Sequence, residues 1–404
     1  MRTTLAFLLV LVIALVRTTP LRAAEPSLYR SSDGGRTWQP IDTSPAVSSV
    51  FDLFADPARP SHLILATDQS LWFSQDGGVS WLQQPLPGGA DLETVYALAA
   101  DPSQPGHLWA SSERGVWVSA DSGASWRLAG GDTPKAVVLT ATTSDGHARL
   151  FAGTSEGLWV SDDDGSSWRG DGDGLQGAAM AIAVTPEGDL LVGTTVGLFA
   201  RATTESTFSL VRGLPTGGSR AAYVAPDGTV YAAVGSNLYR RENGWVKLAT
   251  LPLSTNGDSP GIGAILKIDD LLLLGTEHGL HSSESWKPVP PFDQRAYLEV
   301  AALAADPADP SVVYAGASTV PNSIGYAKVG VIPNAATVER PDDRLTFALL
   351  LVFLLGGVFV AAHMRRLTRA QAPAGDTIAS EPPAEEPDER GDALDDATPS
   401  PDAP

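Results

Sequence analysis

The sequence predicts an all-β, seven-bladed propeller followed by one C-terminal transmembrane helix, and three observations carry that prediction. An eight-residue box, Ser31-Ser32-Asp33-Gly34-Gly35-Arg36-Thr37-Trp38, returns at Ser74 to Trp81, Ser119 to Trp126 and Ser161 to Trp168 in the frame Ser-x-Asp-x-Gly-x-Ser/Thr-Trp. Its closing aromatic persists through worn copies, so that Trp38, Trp81, Trp126, Trp168, Phe208, Trp245 and Trp286 follow one another at 37 to 45 residues. A period of that size marks a radial or solenoid array. The two ends of the series are also complementary half-units, which predicts a ring closed by both ends of the chain.

Each unit reads as four short antiparallel strands. Around the third box these are Val95 to Ala100, an Asp101-Pro102 turn, His107 to Ala110, then Gly115 to Ser119, with a fourth strand beginning at Trp126. Four such strands make one propeller blade. The first strand recurs as Val50 to Ala55, Ala136 to Thr142, Ala179 to Val184, Ala221 to Val224, Gly263 to Ile268 and Val300 to Ala304. The third strand recurs as the pairs Leu28-Tyr29, Leu71-Trp72, Val116-Trp117, Leu158-Trp159, Leu198-Phe199, Leu238-Tyr239 and Leu280-His281. The N-terminal unit lacks a first and second strand. The C-terminal unit has only those two, Glu299 to Ala305 and Val312 to Ala315, so the seventh blade is expected to be shared. Closure of this kind removes the open sheet edge.

The box has a structural role at every position. Asp33, Asp76, Asp121 and Asp163 are placed to accept backbone N–H bonds within their own turns. Gly35, Gly78, Gly123 and Gly165 permit backbone conformations closed to other residues. Trp38, Trp81, Trp126 and Trp168 supply large buried surfaces between blades. In the fifth copy Arg201, Thr203 and Glu205 replace Ser, Asp and Gly, and the last two copies are shortened, so packing is expected to matter more there.

These residues give five segments. Residues 1–24 read as a secretory signal peptide, with Arg2, the apolar run Leu5 to Val16, and Ala23-Ala24 for cleavage. Residues 25–332 form the propeller ectodomain and residues 333–344 a stalk. Residues 345–364 contain an apolar run long enough to cross a bilayer, and Arg365, Arg366 and Arg369 behind it favour a cytoplasmic C-terminus. Residues 365–404 form a Pro-rich acidic tail whose composition predicts disorder. The membrane is therefore one expected partner. The net charge of -20 argues against nucleic acid. The absence of cysteine removes disulfide and thiol chemistry and fits a bacterial envelope protein.

The box resembles that of the Asp-box, or BNR-repeat, propellers. This superfamily includes sialidases, xyloglucan-cleaving glycosidases, sortilin-type receptors and photosystem II assembly factors. The resemblance covers about residues 27 to 316. It implies that the boxes lie on outer hairpins and that ligands meet the opposite face, made of fourth-to-first connections and second-to-third turns. The early Phe-Arg-Ile-Pro-like phrase of sialidases is missing here, as is their arginine cluster.

The expected ligand face carries few candidates. Arg220, Arg295 and Tyr297 lie near first-strand entries. Glu113, Arg114, Glu156 and Glu277 lie on second-to-third turns, with Asp171 and Asp173 on a fourth-to-first connection. The predicted function is a non-catalytic module that binds or assembles a protein or glycan. The alternative is a glycoside hydrolase, for which Asp91, Glu93 and Glu299 are the candidate acids. No cofactor is expected. Metal is not expected either, since Asp162-Asp163-Asp164 and Asp171-Gly172-Asp173-Gly174 do not match a calcium loop.

Overall fold

The computed structural model describes residues 26–43, 47–88, 93–130, 133–144, 147–254, 257–294 and 298–318. The expected signal peptide, stalk, transmembrane helix and tail lie outside the described residues, as do Asp91, Arg295 and Tyr297. Among the described residues, no helix is long and apolar enough to cross a membrane.

The chain enters through β1 (Leu28–Ser31) and β2 (Gln39–Pro40). Blade 1 follows as β3 (Val50–Ala55), β4 (Leu63–Thr67), β5 (Ser70–Ser74) and β6 (Leu82–Gln84). Blade 2 is β7 (Val95–Ala100), β8 (Leu108–Ser112), β9 (Gly115–Ser119) and β10 (Arg127–Leu128). Blade 3 is β11 (Val138–Ser144), β12 (His147–Thr154), β13 (Gly157–Ser161) and β14 (Arg169–Gly170). Blade 4 is β15 (Ala179–Val184), β16 (Leu190–Thr194), β17 (Leu198–Arg201) and β18 (Ser209–Leu210). Blade 5 is β19 (Ala221–Val224), β20 (Val230–Val234), β21 (Asn237–Arg241) and β22 (Trp245–Thr250). Blade 6 is β23 (Ile262–Ile268), β24 (Leu271–Thr276) and β25 (Gly279–Ser282). The chain ends in β26 (Glu299–Ala305) and β27 (Val313–Ser318).

Blade 7 joins the two ends, in the order β2-β1-β27-β26. β1 runs antiparallel to β27, with Leu28 opposite Gly316, Tyr29 opposite Ala315, Arg30 opposite Tyr314 and Ser31 opposite Val313. First strands touch their neighbours all the way round the ring, including β26 against β3. Second strands are buried on both faces, as in Leu63–Thr67, because neighbouring blades cover each side. First strands alternate instead, as in Val95–Ala100.

Among the described residues, no blade has a core of its own. Each of the seven apolar clusters spans two adjacent blades, and each closing aromatic joins the cluster its blade forms with the preceding one. Trp38 packs with Leu271 and Leu273 of blade 6, and Trp126 with Ile64 and Phe73 of blade 1. Trp81, Trp168, Phe208, Trp245 and Trp286 obey the same rule.

The intact box turns share one hydrogen-bond set. In the first, Ser31 Oγ donates to Asp33 Oδ1 at 2.7 Å, and the Thr37 backbone N–H donates to the same oxygen at 2.8 Å. Thr37 Oγ1 donates to Asp33 Oδ2 at 2.6 Å, and Trp38 Nε1 to Gly35 O at 2.9 Å. Asp76, Asp121 and Asp163 hold the corresponding hydroxyls of Ser80, Ser125 and Ser167, each at 2.6 Å. Burial pushes the Asp33 carboxyl up, but donors from Thr37, Ser31 and Arg36 outweigh it and hold the group at about 2. Gly123 has φ +87°, and a Cβ there would lie 2.5 Å from Phe73 Cε1 of blade 1. The box glycine thus serves both the turn and the approach to the preceding blade.

Two details depart from the sequence reading. Blade 6 has three strands, because Pro288, Pro290 and Pro291 occupy the fourth-strand stretch and cannot donate to a ladder. A bridge between His281 and Pro288 and the Val289 N–H bond to Leu280 O remain. The first strand of blade 3 begins at Val138 rather than Ala136, although Val137 N–H already bonds Gly153 O.

Gly123→Ala is expected to cost about 2 kcal/mol or more in urea unfolding of the full chain, from positive φ plus overpacking. Gly244→Ala, in the worn turn of blade 5 where a Cβ meets nothing within 4 Å, should stay within about 0.5 kcal/mol of the wild type.

Candidate functional site

Second-to-third turns and fourth-to-first connections lie on one face of the ring, the loop face, and the boxes on the other. The loop-face turns carry a device the sequence reading missed. Thr67, Thr154, Thr194 and Thr276 end second strands, and each hydroxyl donates to the carbonyl three residues on, at 2.8 to 3.0 Å. Each also accepts the N–H two residues on. The signal was present as a Thr-x-x-Gly spacing at Thr154, Thr194 and Thr276.

Ser112 is the blade 2 counterpart and has been recruited differently. Its hydroxyl donates to Glu93 Oε1 at 2.5 Å and accepts Trp117 Nε1 at 3.0 Å. Glu93 is only 9% exposed, and its Oε2 accepts Arg114 Nε at 2.8 Å and a second guanidinium nitrogen at 2.5 Å. Arg114 also donates to Pro87 O at 3.1 Å and lies over the Trp117 ring, 4.5 Å from its centroid. Glu93 and Arg114 therefore latch the connection into blade 2 onto the blade's own turn.

A second cluster joins three blades. Arg220, just before β19, donates to Glu277 on the β24–β25 turn and to Glu299 Oε1 at the start of β26, the latter at 3.0 Å. Glu299 is 4% exposed. These residues are 57 and 79 positions from Arg220, a juxtaposition created by the ring. Glu113 is exposed and accepts the Tyr96 hydroxyl at 3.1 Å. Tyr96 occupies the bulge of β7 and packs against Phe51, which occupies the bulge of β3, with ring centroids 6.0 Å apart. Burial and the nearby Glu113 charge push the Tyr96 hydroxyl well above its ordinary value. Glu156 is exposed, with its N–H bonded to Thr154.

Asp171 lies on the connection between β14 and β15, as read, but its carboxylate is held from the next blade. Arg201, the residue that replaced the box serine in blade 4, grips it through two nitrogens at 3.0 and 2.6 Å. The same guanidinium lies 4.5 Å from the Phe208 ring centroid. An ion pair and a cation–π contact thus take the place of the lost turn bonds, beside the packing that was expected to matter more there. The seam of blades 3 and 4 keeps a polar groove of about 480 Å³, lined in part by Arg149, Arg169 and Arg201. In the Asp162-Asp163-Asp164 run, each carboxylate has its own protein partners. Asp162 pairs with Arg149 and Arg169, Asp163 serves its box, and Asp164 pairs with His107 and Arg127.

His281 fills the third-strand position held elsewhere by an aromatic and is 2% exposed. Burial, then the neighbouring His278, pull its imidazole down to about 4. Above the ordinary value near 6.5 both folded and unfolded chains carry it neutral. Between 6.5 and 4 only the unfolded chain takes up the proton, so stability falls as pH falls through that window. The melting temperature of the full chain should drop from pH 7 to pH 5, and His281→Phe should flatten that drop in a calorimetric series. The remaining slope belongs in part to His62, which burial also depresses. Separately, Arg114→Ala should cost about 1–3 kcal/mol in urea unfolding, because it strands Glu93 while the guanidinium itself is partly exposed. Pairing Arg114→Met with Glu93→Gln should recover most of that loss.

No protein-family model matches the chain, and no curated protein matches it. Solved structures do. YCF48 bound to D1 peptide is similar at a TM-score of 0.53 and 14% identity, over 72% of this chain and 97% of that one. YCF48 from Cyanidioschyzon merolae is similar at 0.51 and 13%, over 67% and 96%. The extracellular domain of BT4673 from B. thetaiotaomicron is similar at 0.53 and 16%, over 68% of this chain and 38% of that one. At these identities the likeness establishes the fold, a β-propeller, and only the fold.

Proposed function

We propose that the chain is a membrane-anchored, extracytoplasmic propeller of the Asp-box type that holds a protein or glycan ligand on its loop face without chemical change. The observation that carries this reading is the condition of two carboxylates a hydrolase would need. Glu93 accepts bonds from Ser112 and Arg114, and Glu299 from Arg220. They open blades 2 and 7, with blade 1 between them. A glycosidase sets its two carboxyl groups across the scissile bond, where they must reach substrate and water. Glu93 and Glu299 are instead built into the wall, and what the face offers is a rigid ring of loops, a suitable recognition surface.

A protein ligand is supported by YCF48, whose similar fold was solved with a D1 peptide bound. The Asp-box assignment is supported by the bonds shared by Asp33, Asp76, Asp121 and Asp163. The anchor rests on the apolar run Leu345 to Ala362 and the arginines behind it. The N-terminal domain then lies outside a bacterial cell and the C-terminus in the cytoplasm.

The test is proximity labelling on intact cells with the full-length protein, followed by capture. A protein or glycan should enrich with the wild type, and the purified full-length protein should release no sugar from a broad glycan panel. Sugar release that disappears in Glu93→Gln or Glu299→Gln would overturn the reading in favour of a glycoside hydrolase.

A further inference from the structure

Blades 2 and 3 build the same turn from different residues. Ser112-Glu113-Arg114-Gly115-Val116-Trp117 in blade 2 corresponds to Thr154-Ser155-Glu156-Gly157-Leu158-Trp159 in blade 3. In blade 2 the guanidinium of Arg114 covers Trp117, with Glu93 as its counter-charge. In blade 3 the arginine is gone and a carboxylate, Glu156, stands at its position.

The strand opposite has also changed. Leu128 faces Trp117 across the β9–β10 pair, and Gln83, Pro40, Leu210 and Lys247 face the corresponding aromatics of blades 1, 7, 4 and 5. Opposite Trp159 stands Gly170. A cross-strand neighbour on the same face is the side chain best placed to cover an aromatic, and here there is none. The consequence is a loop-face pocket of about 260 Å³, lined by Trp159, Glu156, Leu175, Gly170, Gly172 and Gly177 among others. Trp159 is half-buried, whereas Trp72 and Trp117 are 1% and 3% exposed. The Glu156 carboxylate has no hydrogen-bond or ion-pair partner among the described residues.

Resting on the protein-ligand reading above, we propose that this pocket receives the guanidinium of an arginine side chain presented by a partner protein. Blade 2 displays a guanidinium over an indole with a carboxylate beside it within a single chain, there against the connection that enters the blade and carries Pro87 and Glu93. In blade 3 the pocket lies against the connection that leaves the blade, through Gly172, Leu175 and Gly177, and the carboxylate stands at the position Arg114 holds in blade 2, so the pocket offers an indole, a carboxylate and open space to a cation. An indole is the strongest of the aromatic partners for a cation, and a guanidinium can stack on it while donating to a carboxylate. Residues 25–332 carry 34 Asp and Glu against 18 Lys and Arg, and that excess draws a basic partner toward the face.

The test uses the detergent-solubilised full-length protein labelled with 5-fluorotryptophan, with the Trp159 resonance assigned from Trp159→Phe. The probes are acetyl-arginine methylamide and its neutral isostere, acetyl-citrulline methylamide. The Trp159 signal should shift saturably with the arginine probe and stay still with citrulline. Glu156→Gln should weaken binding roughly fivefold, as loss of one partly exposed charge pair implies. Gly170→Phe should abolish the shift while the other tryptophan signals keep their places, because a Cβ at Gly170 enters open space and the backbone there needs no positive φ. Equal response to citrulline, an unchanged affinity in Glu156→Gln, or a shift confined to other tryptophans would overturn the proposal. Partner capture separates the two readings. Capture lost in Gly170→Phe supports the pocket, and capture unchanged in that variant overturns the pocket and leaves loop-face binding standing. Failure of the wild type to capture anything overturns loop-face binding, while the titration still decides the pocket.

Discussion

Every apolar cluster among the described residues is shared between two blades, and that constraint governs the rest of the structure. A four-stranded sheet of this size cannot bury either face by itself. Each blade is completed by its neighbours, so the first blade needs the last. The pairing of Leu28–Ser31 with Val313–Ser318 meets that need by making one blade from both ends of the chain. The closing aromatics follow the same logic, since each reaches back into the seam with the preceding blade.

The box is the local device that makes this seam regular. Its carboxylate ties the turn, its glycine permits the backbone conformation and the close approach, and its tryptophan fills the space below. Where the box decays, the seam is rebuilt from other chemistry. In blade 4, Arg201 bridges to Asp171 and stacks on Phe208, so charge and a cation–π contact replace the hydroxyl–carboxylate turn. In blade 6, prolines prevent a fourth strand, and a bridge between His281 and Pro288 with the Val289 N–H bond to Leu280 O holds that edge. The ring tolerates these changes because each seam carries its own cluster.

The same pattern explains the loop face. Among its described charged residues Glu93 pairs with Arg114, and Arg220 with Glu277 and Glu299. These pairs fix the connections between blades, which leaves a stiff face whose variation comes from small changes at equivalent positions. The exchange of Arg114 for Glu156 between neighbouring turns, together with Gly170 opposite Trp159, is enough to turn a covered indole into a pocket.

The sequence by itself determined the number of blades, the position of the boxes and the shared seventh blade, because period, turn chemistry and unmatched half-units are local properties of a chain. The places of Glu93, Arg114, Glu156, Arg220, Glu277 and Glu299 on second-to-third turns and fourth-to-first connections were legible in the sequence. Only the tertiary structure decided what they do. Arg220 meets Glu299 across 79 residues, and Asp171 is drawn to Arg201 by a replacement inside a worn box. Whether an indole is covered or open depends on the cross-strand neighbour and on the turn beside it. Such pairings depend on distances set by ring closure, and sequence spacing carries no measure of them.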